Sequence, residues 1–248
     1  MPTEFRSKVS VLHDGIDTEY FKPNPGAKLT LPNLNLSDVD ELVTYVARGM
    51  EPYRGFPQFI EAIACLQSRR PNIHVVIVGS DRVCYGRALP DGTSYKEWML
   101  KKVPLDLSRV HFTGLLPYGQ YLQVLQASSV HVYLTRPFVL SWSMLEAMST
   151  GCVILASDTA PVTEVIRSGE NGLLVDFFSP QAIAEHIGQV LEHPTEMAQI
   201  RAKARETVLK HYALADLLPQ HLQLIKDVAN RSAERLKNPI QQRKGEAR

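Results

Sequence analysis

Two arginines, Arg48 and Arg54, flank a proline-containing turn in "ARGMEPYRGF", and Gly55 follows where a helix can begin. Guanidinium groups converging on one loop, beside the unpaired N–H groups of a helix start, suit a diphosphate. The same two residues would serve equally as solvated surface charges. Farther on, Glu146 stands alone among apolar neighbours in "RPFVLSWSMLEAMSTG", on a helix-like pattern that starts at Ser141 or Ser143 and carries the glutamate in its first turn. A carboxylate there can accept from a pair of ligand hydroxyls while the helix N–H groups hold an anionic part of the same molecule. It can also close a capping box, because Ser143 and Glu146 have the S-x-x-E spacing. Gly79 ends an apolar run, where the missing side chain either lets a ligand approach the backbone or only makes a turn.

Those residues need a frame. Apolar runs rich in Val, Ile and Tyr recur at 42–47, 74–79, 110–114, 129–135, 152–157 and 172–176. Each reads as a strand buried on both faces. Helical periodicity fills the gaps in "FPQFIEAIACLQSRR", "SYKEWMLKKV", "YGQYLQVLQAS", "SWSMLEAMSTG" and "TAPVTEVIRSG". Alternating strands and helices imply parallel crossovers, hence an α/β fold with a doubly wound, Rossmann-like parallel sheet. Ligands of such sheets sit beyond the carboxyl ends of the strands, where both arginines, Gly79 and the start of the Glu146 helix all fall. After Pro180 the pattern is helical only. Residues 1–35, with one possible strand and several prolines, read as an interdomain segment, 36–229 as the main domain, and 230–248 as a basic, solvated tail.

Composition narrows the function classes. A net charge of +1 argues against a general nucleic-acid binder. Three widely spaced cysteines without a C-x-x-C pair give neither a disulfide framework nor a zinc site, and fit a reducing, cytoplasmic compartment. No signal core or long apolar run occurs, so the expectation is a soluble chain that can still sit peripherally at a membrane's inner face. His74, His111 and His131 lie in strand-like runs without metal-ligand spacing and read as core or rim histidines. Neither a Walker sequence, a G-x-G-x-x-G nor a G-x-S-x-G elbow is present, which disfavours NTPases, dinucleotide oxidoreductases and serine hydrolases.

Read in order, the blocks resemble the C-terminal, donor-binding half of retaining GT-B glycosyltransferases of family 4. The resemblance runs from about Lys8 to about Ala229 and is carried by "HDGID" with Phe21 and Pro23, "ARGMEPYRGFPQFIEAI", "VIVGS", "VHFTGLLPYGQYLQVLQASSVHVYLT" and "LEAMSTGCVILASDTAPVTEVIRSGENGLLV". It implies that Arg48 and Arg54 grip the donor diphosphate and that Glu146, as second glutamate of the family's E-x7-E motif, binds the ribose hydroxyls. It further implies donor contacts at Gly49, Gly79 and Leu116, the last in the segment bordering the base. The family's first glutamate falls at Phe138, and its glycine-rich turn becomes Val139, Leu140 and Ser141. The sugar-contacting acid is therefore absent, while the backbone N–H groups of the turn remain for the donor phosphate.

The implied chemistry is transfer of a sugar from a UDP-, GDP- or ADP-linked donor to a glycan or lipid-linked acceptor, with retention and without a metal or other cofactor. Family members carry another Rossmann-like half before this segment, so the resemblance implies a fragment whose missing N-terminal domain supplies acceptor contacts. The segment after Pro194 is expected to include the crossing back to that half. A nucleotide-binding or scaffold module that has lost catalysis is the alternative, motivated by Phe138.

Overall fold

The computed structural model describes residues 2–237, which fall into two units, Thr18–His211 and a smaller one made from the chain up to Asp17 and from Tyr212 onward. All six apolar runs form strands of one sheet: β3 (Leu42–Gly49), β4 (His74–Ser80), β5 (Val110–Gly114), β6 (Val130–Tyr133), β7 (Ile154–Ser157) and β8 (Leu173–Val175). Their order is β5-β4-β3-β6-β7-β8 and every pairing is parallel. The chain winds outward from β3 in one direction and restarts on its other side at β6. The switch point therefore lies between β3 and β6, where their carboxyl ends part.

Two-sided burial explains the continuous apolar runs. Along β4, Val75 and Ile77 point into one core and Val76 and Val78 into another, the period of a pleated strand. The first core is covered by α1 (Phe56–Gln67) and α6 (Pro180–Glu192), which bring Phe56, Phe59, Ile60, Ile63, Ile183 and Ile187 to complete burial. Each such side chain contributes about 1.5–3 kcal/mol. Over the other face lies a hairpin of β1 (Leu29–Leu31) and β2 (Leu34–Leu36), whose Leu29, Leu31 and Leu36 pack on Val76, Val78 and Val124. All of this hairpin but Leu36 falls inside residues 1–35, the segment read as interdomain. Its leucines alternate on both sides of Pro32-Asn33, a two-residue turn that prolines elsewhere in the segment obscured.

Two glycines fix the carboxyl end of the sheet. Gly79 has φ 142°, and a Cβ there would lie 1.9 Å from the Ala47 carbonyl oxygen, so β4 can close on β3 only without a side chain. Gly55 caps α1 in the left-handed region (φ 67°), and a Cβ would come within 2.5 Å of Leu134. The turn before α1 is thereby pressed against the end of β6.

The remaining helices are α2 (Tyr95–Lys102), α3 (Tyr118–Gln126), α4 (Trp142–Ser149), α5 (Ala160–Thr163), α7 (Met197–His211) and α8 (Leu214–Lys237). The segment expected to give a longer α5 yields a single turn, because Val162, Thr163, Val165 and Ile166 are β-branched and resist helix extension. Arg201 and Arg205 of α7 donate to the carbonyls of Gly151, Ser129 and Ser149, fastening that helix to the loops beneath α4.

In the smaller unit, Thr3–Lys8 forms a 3-10 helix, and the strand anticipated nearby is absent: Val9 and Val11 are exposed, with no neighbour to bury them. Ile16 instead bridges Ala213, its N–H donating to the Tyr212 carbonyl at 2.7 Å. α8 continues to Lys237, into the stretch read as a solvated tail, because Ala233, Glu234, Arg235, Leu236 and Lys237 are good helix formers. The rest of that tail, 238–248, lies outside the described residues.

Candidate functional site

Arg54 is the last residue of a short 3-10 turn, Pro52–Arg54, between β3 and α1. Its chain is held from below by the Tyr45 hydroxyl, which donates to the Arg54 carbonyl at 2.7 Å. The side chain crosses to the end of β6. Nη1 donates to the Tyr133 hydroxyl (3.0 Å) and Thr135 Oγ1 (2.9 Å), and Nη2 donates to the Val139 carbonyl (3.1 Å). Tyr133 also accepts from the Ser141 N–H at 2.8 Å, so one phenol ties Arg54 to the N-cap of α4. Burial raises the Tyr133 pKa, partly offset by the Arg54 charge, and the group stays a neutral phenol.

Arg54 is only 7% exposed, and no carboxylate lies within ion-pairing distance of it among the described residues. Such a cation is costly to bury unless something anionic completes its shell. Tyr85, Tyr133 and Phe138 surround the guanidinium at 5.6, 5.9 and 5.5 Å from the ring centres. The carboxylate next to it in sequence, Glu51, is turned away. Fully buried, it accepts from the N–H groups of Cys84, Tyr85 and Gly86, locking the loop after β4 against the arginine turn. The sequence reading missed Glu51, Tyr133 and Thr135. An acidic residue directly before Pro52 and a tyrosine closing a strand were the available signals.

Glu146 lies on α4, but not in its first turn. Ser141 caps the helix, its Oγ accepting from the Ser143 N–H at 3.4 Å, which puts Glu146 in the second turn and rules out the Ser143 capping box. The carboxylate, 6% exposed, instead accepts from the Tyr121 hydroxyl of α3 at 2.7 Å through Oε2. No protein donor reaches Oε1 among the described residues. Burial raises the Glu146 pKa, and the Tyr121 hydrogen bond opposes that rise. Tyr121 was not foreseen either, since its contact joins two helices.

The other anticipated residues divide. Val139 and Ser141 belong to the Arg54 network, the former through its carbonyl and the latter through an N–H already given to Tyr133. The N–H groups of Val139 and Leu140 meet no protein acceptor among the described residues. Arg48 is exposed at the end of β3. Gly49 is buried beneath the Arg82–Cys84 chain, whose Arg82 carbonyl would lie 2.4 Å from a Cβ there. Gly79 faces the Ala47 backbone. Leu116 lines a separate cavity of about 580 Å³ against the hairpin turn Pro32–Asn33. Of the histidines, His131 is wholly buried on Thr44 (2.9 Å), and His74 Nδ1 and His111 Nε2 share a hydrogen bond at 3.0 Å. Among the described residues no three His, Cys, Asp or Glu side chains gather as a metal site, and no helix is long and apolar enough to cross a membrane.

Comparison with known proteins adds a family to this geometry. The family model described as "Glycosyl transferases group 1" matches residues 30–207. Among curated proteins, the D-inositol 3-phosphate glycosyltransferase of Corynebacterium glutamicum is 23% identical over 208 residues, 82% of this chain and 47% of that protein. The trehalose synthase of Pyrococcus horikoshii is 25% identical over 193 residues, 76% of this chain and 45% of that one. The chain thus spans about half the length of the curated relatives it matches. Anabaena HepE in complex with UDP-glucose superposes with TM-score 0.72 at 19% identity, covering 88% of this chain and 57% of HepE. A C-terminal domain of a Francisella tularensis group 1 glycosyl transferase, LpcC, is covered completely by 81% of this chain, with TM-score 0.66 at 21% identity. The fold is therefore the Rossmann-like C-terminal half of the GT-B architecture.

Proposed function

This chain belongs to the glycosyl transferases group 1 family, and we propose that it is the donor-binding half of a retaining glycosyltransferase that takes a sugar from a nucleotide diphosphate. The observation that carries this reading is Arg54: a nearly buried guanidinium at the switch point of the sheet, without a carboxylate partner and with N–H donors to spare. A guanidinium has five N–H donors and three are committed, which leaves Nε and one hydrogen of Nη2 for a phosphate. Arg48 and the N–H groups of Val139 and Leu140 would complete the anion's shell. Glu146 Oε1 would accept from the ribose hydroxyls while Tyr121 holds the other oxygen. The complex of HepE with UDP-glucose supports a nucleotide sugar as ligand.

Chemistry follows from the same charges. As the glycosyl–phosphate bond breaks, negative charge grows on the leaving diphosphate, and preorganised cations and helix N–H groups there stabilise it without reorganising. A metal is not needed in this scheme. The acceptor, a glycan or a lipid-linked glycan at a membrane's inner face, would be met by the other half of the enzyme. An apolar stripe on α8, with Leu218, Leu222, Ile225 and Val228 each close to half exposed or more, fits docking of that half. Phe138 favours a second reading, a nucleotide-binding module without transfer, since no carboxylate stands at that position.

Thermal unfolding in EDTA with UDP, GDP and ADP tests the binding claim. A nucleotide at about 100 times its dissociation constant stabilises by about 2.7 kcal/mol. The expected result is a rise with one base, lost in Arg54→Ala and Glu146→Ala. Transfer activity after joining the chain to an N-terminal GT-B half separates the enzyme from the non-catalytic module.

A further inference from the structure

The rings around Arg54 do more than shield it. Tyr53 and Phe138 meet edge to face at 5.7 Å between centres, and Tyr85 lies tilted by 54° against Phe138 at 5.1 Å, so the three rings are contiguous. Phe138 is 36% and Tyr85 38% exposed, while Arg54, whose guanidinium they adjoin, is 7% exposed. On its other sides the guanidinium is closed by Tyr133, Thr135 and the Val139 carbonyl. Phe138 and Tyr85 therefore border the side of the guanidinium that its hydrogen bonds leave uncommitted, beside any anion held by the remaining N–H groups. Glu51, the carboxylate three residues before Arg54, is spent on three backbone N–H groups. Val139, 71% exposed, extends the apolar rim.

Resting on the reading of Arg54 as a diphosphate anchor, we propose that Tyr53, Tyr85 and Phe138 form an aromatic platform that selects the donor by an apolar face of its sugar, the chemical class being a 6-deoxyhexose. A ring surface of this kind gains by burying C–H groups and pays desolvation for each hydroxyl it covers without a partner. Replacing CH2OH by CH3 at the sugar's edge removes one such hydroxyl. In an apolar pocket that difference is worth about tenfold in affinity.

The test is calorimetric titration of the full chain with UDP, UDP-glucose and UDP-6-deoxyglucose, with GDP, GDP-mannose and GDP-6-deoxymannose, and with ADP, ADP-glucose and ADP-6-deoxyglucose. The bare diphosphate of the accepted base should bind, and its 6-deoxy sugar should bind about tenfold tighter than the parent hexose. Phe138→Ala and Tyr85→Ala, both at partly exposed positions and checked for unchanged melting, should bring the two sugars to equal affinity. Phe138→Glu should reverse the order. Binding of the bare nucleotide with the parent hexose preferred, or with a 6-deoxy preference that survives Phe138→Ala, overturns the platform and leaves the diphosphate site standing. Failure of every nucleotide to bind overturns both.

Discussion

Replacing Arg54 by methionine should separate stability from binding, because the site holds a charge that the ligand-free fold does not need. The substitution keeps the alkyl stem and removes three hydrogen bonds, to Tyr133, Thr135 and Val139. Each is worth about 1.5–3 kcal/mol when the donor is charged. Against that loss stands the desolvation of a guanidinium that is 7% exposed and lacks a carboxylate, several kcal/mol by itself. None of the acceptors is stranded. Tyr133 keeps the Ser141 N–H, the Thr135 hydroxyl still donates to the Arg136 carbonyl, and Val139 is exposed to water. The net change in unfolding free energy should therefore stay within about 1–2 kcal/mol. Binding should fall much further. Two charge-assisted bonds to phosphate amount to about 3–6 kcal/mol, at least 100-fold in dissociation constant. Urea unfolding and calorimetric titration with the accepted nucleoside diphosphate measure the two effects. Nucleotide affinity within about fivefold of wild type would refute the assignment of Arg54, and a loss of stability above about 4 kcal/mol would show it to be a structural brace.

Glu51→Ala should cost about 3 kcal/mol or more in urea unfolding, since the Cys84, Tyr85 and Gly86 N–H groups lose their acceptor, with Glu51→Gln milder because it restores one oxygen. His131 is held neutral by burial, its pKa pushed down to about 4 from 6.5. A depressed folded pKa means that the unfolded chain takes the proton first. Stability is then complete above pH 6.5 and falls by about 3 kcal/mol as the pH drops to about 4. His131→Leu should flatten that part of the stability curve. Nucleotide affinity should weaken on acidification below the raised pKa of Glu146, as its carboxylate protonates and ceases to accept freely, and Glu146→Gln should give a weaker but pH-flat profile over the same range.

The sheet was legible because parallel strands buried on both faces leave runs that few other structures produce, and β3 to β8 all coincide with such runs. The hairpin was not. Its strands have three residues each and gain their definition from packing on β4 rather than from their own pattern. For α4 the helix was readable and its start was not, since Ser141 and Ser143 are both competent caps, and the fold selects Ser141, whose Oγ accepts from the Ser143 N–H and whose own N–H is held by Tyr133. That choice moves Glu146 two positions deeper into the helix, about half a turn, from a capping role to a partner of Tyr121. The same limit applies to Arg54. Its loop and charge are in the sequence, but its burial depends on Thr135, Val139 and Phe138, which approach it only when β6 pairs with β3.

The proposed diphosphate site is Arg54, at the switch point between β3 and β6. A crystal structure of the chain grown with the nucleoside diphosphate that stabilises it, in EDTA, tests this directly. Phosphate oxygens should lie within hydrogen-bonding distance of Arg54 and of the Val139 and Leu140 N–H groups, with a ribose hydroxyl on Glu146 Oε1. A nucleotide bound elsewhere, with Arg54 still closed under Phe138 and Tyr85, would contradict it.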